Sequence, residues 1–182
     1  MLWHKLIAFA VLSLVLCQLH QVNGNDSGCQ ANFTRVGDTC LKNVSNWYSW
    51  YEADRHCRSL GAELVSLQNQ EQLQEINKWL NTTGLFMLNF WTSGNRLGRI
   101  GNYYWQGTGQ EASYLPWGTG QPQSTGNCLL LASKTWGVAD YHLEVYNCES
   151  WSSAVCEQRP QQYTSRLCLK QDSYESVQVL VN

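Results

Sequence analysis

The sequence predicts an α+β domain of two helices and several short strands, exported and stapled by disulfides. Two stretches place apolar residues at helical spacing and end in glycine. Aromatic, strand-like pieces punctuated by glycine follow them. Cysteines recur along a chain that opens with an export signal. At 182 residues the chain suits one domain with a tail and is long enough to bury its own core. Only 14% of residues are charged and the formal net charge is -2, which excludes a nucleic-acid binder that neutralises many phosphates.

Lys5 supplies a positive n-region, Leu6 to Leu16 is almost wholly apolar, and Val22-Asn23-Gly24 offers small residues for cleavage. Residues 1–24 therefore read as a signal peptide, with a mature chain starting near Asn25. The apolar run is too short to span a bilayer comfortably, and no later run is longer, so no membrane insertion is expected. A secreted, extracellular location follows. In that setting Asn25, Asn32, Asn43 and Asn81 each begin an Asn-x-Ser/Thr sequon and are candidate glycan sites.

Eight cysteines are present, and Cys17 leaves with the signal peptide. Export makes disulfides the expected state of Cys29, Cys40, Cys57, Cys128, Cys148, Cys156 and Cys168. Their number is odd, which gives three bridges and a spare, and spacing alone does not choose among the fifteen connectivities of six cysteines. A metal site is the weaker reading, because there is no Cys-x-x-Cys pair and the mature chain keeps only His56 and His142.

Gly37 and Asp38 mark a turn in a hairpin over 29–44. A first helix follows, with Asn46 as its expected cap and Trp47, Trp50, Cys57 and Leu60 at helical spacing. Gly61 stops it. Leu64, Val65 and Leu67 form a short apolar stretch. A second helix starts at Asn69, with Gln72 three residues on as in a capping box. Leu73, Ile76 and Leu80 form its core stripe, and Asn81 and Gly84 end it. Strands are expected at Phe90-Trp91-Thr92, Tyr103-Tyr104-Trp105, Cys128 to Ala132 and Ala154 to Glu157. Residues 107–126, with Pro116 and Pro122 as breakers, form a long surface loop of the kind that carries function. A polar tail with a small apolar end, Val177 to Val181, occupies 158–182.

In this order the pieces resemble the long form of the C-type lectin domain, with an N-terminal hairpin. The resemblance spans Cys29 to Glu157, and it sets the domain at 25–157. It rests on the aromatic helix leading to Cys57, then Leu60-Gly61-Ala62-Glu63-Leu64, Phe90-Trp91-Thr92-Ser93-Gly94, Gly101-x-x-x-Trp105, Trp117-x-x-x-Gln121-Pro122, and Cys148 with Ala154-Val155-Cys156-Glu157. Phe90 to Asn95 resembles the insect branch of secreted lectins. The resemblance implies two helices with two small antiparallel sheets and a long irregular loop region. It also implies one pairing: Cys29 with Cys40, Cys57 with Cys156, and Cys128 with Cys148.

The family's usual sugar site is a bound calcium, which needs six to eight oxygens, several of them anionic. The resemblance implies that Gln121-Pro122-Gln123 stands at its Glu-Pro-Asn or Gln-Pro-Asp triplet, with a cis proline. The frame is galactose-like without its carboxylate. Gly126 stands where a Glu falls before Cys128, and Glu144-Val145 replaces the Asn-Asp pair before Cys148. Gln121, Gln123, Glu144 and Tyr146 are the candidate ligand-binding residues. No metal ligand set and no resident cofactor are expected, beyond weak calcium held chiefly by Glu144. Tyr114, Trp136, Tyr141 and Tyr146 lie in or beside the loops and suit stacking on a sugar or anchoring a protein, whereas Trp117 reads as core.

No catalytic residue is expected: a Ser-His-Asp or Cys-His arrangement lacks a placed base, and Gly107-x-Gly109 lacks the rest of a dinucleotide fingerprint. Two functions follow. One is a secreted carbohydrate-binding lectin domain with a degenerate calcium site, whose partner is a glycan or glycoprotein. The alternative is a calcium-independent, lectin-like domain that binds a protein or other non-sugar ligand. Cys168 is left outside the three pairs, so a disulfide-linked dimer, or a link to another chain, is predicted. Non-reducing electrophoresis should show a species of higher mass that collapses on reduction, and one unchanged monomer band excludes it.

Overall fold

The computed structural model describes residues 28–84, 88–98, 101–133 and 140–159, and the backbone of 163–170 and 173–180. The signal segment, Asn25 and Trp136 lie outside these residues. Strands β1 (Thr34–Val36) and β2 (Thr39–Tyr48) form the expected hairpin. It turns at Gly37, whose φ of 56° suits a residue without a Cβ.

Strand β2 runs further than the helical spacing suggested and takes in Asn46 and Trp47. Trp47 therefore belongs to the sheet and is 63% exposed. The helix α1 (Trp50–Ser59) is capped by Ser49 instead of Asn46. The Ser49 side chain accepts from the Glu52 amide, while the Glu52 carboxylate accepts from the Ser49 amide at 2.9 Å. That capping box satisfies two donors that Asn46, three residues earlier, cannot reach. The Ser49 backbone bond holds the Glu52 carboxyl below its usual pKa. Helix α2 (Gln70–Thr83) starts where expected. The Asn69 side chain accepts from the Gln72 amide at 2.9 Å, and Gly84 closes the helix at φ 69°.

Strand β4 (Phe90–Asn95) sits at the centre of the sheet. One edge pairs in parallel with β9 (Ser152–Gln158), the other antiparallel with β7 (Cys128–Ser133). The sheet extends from β9 to β2 and the short β3 (Glu63–Leu64), and from β4 to β5 (Tyr104–Trp105) and β6 (Gln110–Glu111). Strand β8 (Tyr141–Tyr146) pairs along the whole of β7. Shared use of β4 and β9 links the two small sheets into one hydrogen-bonded network of mixed direction.

Alternation along the strands divides the core in two. Phe90, Leu129, Leu131 and Val155 pack with α2 residues Leu73, Ile76 and Leu80. Their sequence neighbours Trp91, Leu130, Ala154 and Cys156 pack with α1 residues Trp50, Ala53 and Cys57 on the opposite face. Two buried indoles have their donors satisfied. Trp50 donates to the Thr92 carbonyl and Trp91 to the Tyr48 carbonyl, both at 2.8 Å.

Three disulfides join Cys29 to Cys40, Cys57 to Cys156 and Cys128 to Cys148, as the resemblance implied. The second spans 99 residues, for which loop closure contributes about 4–5 kcal/mol. It ties α1 to β9. The polar tail contains a hairpin its composition did not announce: β10 (Tyr163–Lys170) pairs residue for residue with β11 (Ser173–Leu180), Cys168 opposite Glu175.

Gly94 in β4 leaves no room for a side chain. A Cβ there would lie 2.6 Å from Leu129 Cδ1 and 2.8 Å from Trp105 Cζ3. Gly94→Ala is expected to cost about 1–3 kcal/mol of stability, read as a lower midpoint in denaturant unfolding at unchanged m-value.

Candidate functional site

The long loop before β7 lies beside the Cys128–Cys148 bridge, where β7 begins and β8 ends. The Gln121–Pro122 peptide bond is cis, as expected. The Gln121 side chain, however, is turned inward. Its Oε1 accepts from the amides of Gln123 and Val145, both at 3.1 Å, and so fastens the loop to β8. Gln123 itself is exposed.

Two positions implied for calcium ligands have other work. Val145 is 3% exposed and packs in the core. Gly126 has φ 100°, and a Cβ there would meet the carbonyl carbon and oxygen of Tyr146 at 2.5 Å. The loop therefore lies directly on β8, and the Asn127 amide donates to the Tyr146 carbonyl at 3.1 Å. Glu144 is half-buried with its carboxylate beside Gly118, whose Cβ, if present, would be 3.6 Å from it. Glu144 does not line the cleft where Gln123 lies. Among the described residues no group of three or more His, Cys, Asp or Glu side chains is close enough to share a metal ion.

Arg96, directly after β4, reaches across the loop. Its Nη2 donates to the carbonyls of Ser124 and Gly126 at 2.7 Å, and its Nε to the Gly126 carbonyl and Asn127 Oδ1 at 3.1 Å. The guanidinium carbon lies 5.6 Å from the centre of the Tyr103 ring. Nothing in its sequence context marked this residue except its place next to Asn95.

Beside that clamp lies a cleft of about 530 Å³ that includes Tyr146 and Gln123. Tyr51 from α1 and Leu97 join them, and Asn147 and Glu149 supply polar groups. Tyr51 is 40% exposed, Leu97 45% and Tyr146 46%. Three of the five large apolar side chains exposed among the described residues thus line one cleft. Tyr51 and Leu97 escaped the sequence because each belongs to a different element. The start of α1 is held beside this loop by the Trp50 amide bond to the Cys148 carbonyl, 2.8 Å long, and by the packing of Trp50 with Cys128 and Cys148.

The other loop aromatics divide. Tyr141 is fully buried, its ring 5.7 Å from Phe90, and its hydroxyl donates to the Leu88 carbonyl at 2.9 Å. Burial pushes its phenol up to about 12. It is a core residue on β8, which also removes it from the loop where the sequence placed it. Tyr114 and Trp117 pack partly buried against the same core cluster, and Trp117 meets Tyr103 edge-on at 5.2 Å. His56 stacks on Tyr48 at 5.2 Å, and His142 lies 3.9 Å from Asp140 at the surface.

A two-helix, disulfide-stapled mixed sheet with long loops gathered at one end defines a class of domain. The chain belongs to the C-type lectin domain family: the family model described as "Lectin C-type domain" matches residues 46–158. C-type lectin 37Da of Drosophila melanogaster is 28% identical over 156 residues, covering 80% of this chain and 83% of that protein. C-type lectin 16 of Aedes aegypti is 28% identical over 153 residues, covering 81% and 96%. Among solved structures, human lithostathine superposes with a TM-score of 0.65 at 23% identity, over 76% of this chain and 97% of that one. A calcium-independent type II antifreeze protein does so with 0.60 at 19% identity, over 72% and 94%.

Tyr141→Phe removes one buried hydrogen bond and leaves the cleft untouched. It is expected to lower unfolding free energy by about 1 kcal/mol without changing ligand affinity. Chemical denaturation and a binding isotherm on the same sample check both halves.

Proposed function

We propose that this chain is a secreted lectin that binds carbohydrate in the cleft between Tyr51 and Tyr146, without a resident calcium ion. One observation carries the reading: two half-exposed tyrosines and Leu97 border a cleft that also holds Gln123, Asn147 and Glu149. A pyranose ring presents an apolar face and a rim of hydroxyls. Aromatic rings serve the first, and amides with a carboxylate serve the second. The cleft volume falls within the range of about 300–1,000 Å³ usual for small-ligand sites.

The donor set does not fit calcium. Val145 offers no oxygen side chain, Gly126 has no space for one, and Gln121 Oε1 is already taken by two amides. Glu144 alone falls at a charged ligand position, and its carboxylate lies beside Gly118. A site of one carboxylate and neutral amides binds at or above the millimolar range. The galactose preference of a Gln-Pro frame depends on the ion, so it has no carrier in this loop. Secretion is supported by the N-terminal signal pattern and the three disulfides. A binding role without catalysis is supported by the family and by the surface placement of His142.

The second reading, a non-sugar ligand, draws on the apolar share of the cleft rim, Leu97 included, and on a neighbour described as a calcium-independent antifreeze protein. A glycan array read with calcium and with chelator separates the two. Equal binding in both conditions is expected, with Tyr146→Ala weakening it about tenfold. Silence in both conditions favours the second reading. Calorimetry should show no calcium affinity tighter than about a millimolar.

A further inference from the structure

A fixed cation from the end of β4 sits against the ligand loop. Residues 124–127 turn three oxygens, the carbonyls of Ser124 and Gly126 and the Asn127 amide oxygen, toward one point. Clustered oxygens repel one another unless a positive charge lies among them. At that point stands the Arg96 guanidinium, making four hydrogen bonds of 2.7–3.1 Å. We propose that Arg96 is the positioning residue of the ligand loop, its guanidinium doing by hydrogen bonds what a bound divalent ion would do by coordination.

The surrounding structure supports this role. Arg96 is anchored at both ends, because its backbone amide donates to the Asn127 carbonyl at 2.9 Å while its side chain lies over Tyr103. Tyr103 is buried and braced by Trp117, so the platform beneath the guanidinium is rigid. The planar fork has five donors and no acceptor, which suits several carbonyls in one plane better than an ammonium does. Its bonds go to Gly126, the residue aligned with a missing carboxylate, so the permanent charge also opposes entry of a second cation there. The far side of the same segment faces the cleft, whose lining includes Gly126 and Asn127. Arg96 thus holds the cleft wall from behind without touching a ligand in it.

This shares with the functional reading only the absence of a resident ion. The test therefore reads the loop itself, with no glycan present. Hydrogen exchange is followed at the amide of Asn127, bonded to the Tyr146 carbonyl, and at those of Gln123 and Val145, both bonded to Gln121 Oε1, with Val155 in β9 as a reference. In the full mature chain the loop amides should exchange equally slowly with about 10 mM calcium and with chelator. Arg96→Gln should speed Asn127 and Gln123 about tenfold or more while Val155 stays unchanged, and calcium should not restore them. Arg96→Lys keeps the charge but loses the fork. It should fall between the two, and it decides the matter should the glutamine variant fail to fold. Calcium that slows the wild-type loop about tenfold, or folded variants with unchanged loop exchange, would overturn the proposal.

Discussion

Strand β4 is bonded along both edges and covered on both faces, so each of its five side chains had to find a buried place. That constraint propagates outward. Alternation along β4 sends Phe90 to one hydrophobic cluster and Trp91 to the other, and the strands beside it inherit the same division. Each helix then has one face to cover. The two polar side chains at its middle are accommodated by local bonds. Thr92 donates to the Leu129 carbonyl at 2.9 Å, and Ser93 shares a hydrogen with Ser66 at 2.8 Å. Leaving either unsatisfied would cost about 1–3 kcal/mol.

The end of β4 couples this core to the loop over 124–127. Asn95 pairs with Cys128 across the sheet, and the next residue is Arg96. A disulfide joins Cys128 to Cys148, whose carbonyl accepts from the first amide of α1. Core, loop, bridge and helix start therefore meet within a few residues. A cleft built at that junction inherits its rigidity from covalent and buried interactions, and its polar rim can vary without disturbing them. The same arrangement explains how acidic positions can be lost from such a loop while the fold persists. Val145 and Gly126 now support packing, where carboxylates would have required desolvation and a partner charge.

Much of the fold was legible in the sequence because local chemistry and period agreed. The Asn69 cap, the Gly84 stop and the stripe of Leu73, Ile76 and Leu80 fix α2 on their own. The first helix was displaced by three residues because Trp47 satisfies a helical spacing and a strand equally well. The sheet took it, through pairing with β9 that no local signal announces. Strand β8 was hidden for a related reason. Its alternation is present, with Tyr141, Leu143 and Val145 buried, but it is short and sits among residues the sequence reads as loop. Tyr141 and Tyr146 lie on one strand, yet one is core and the other borders the cleft.

The sequence by itself determined the two helices and, through family likeness, the pairing of six cysteines. Those depend on residue type and short spacing, which a linear chain displays directly. Only the tertiary structure decided what the site residues do. Gln121 became a loop fastener, Glu144 fell outside the lining of the cleft, and Tyr51 and Leu97 joined Tyr146 there. Arg96 gathers oxygens about thirty residues away in the chain. Contacts over such distances are set by packing around β4, and sequence spacing carries no trace of them.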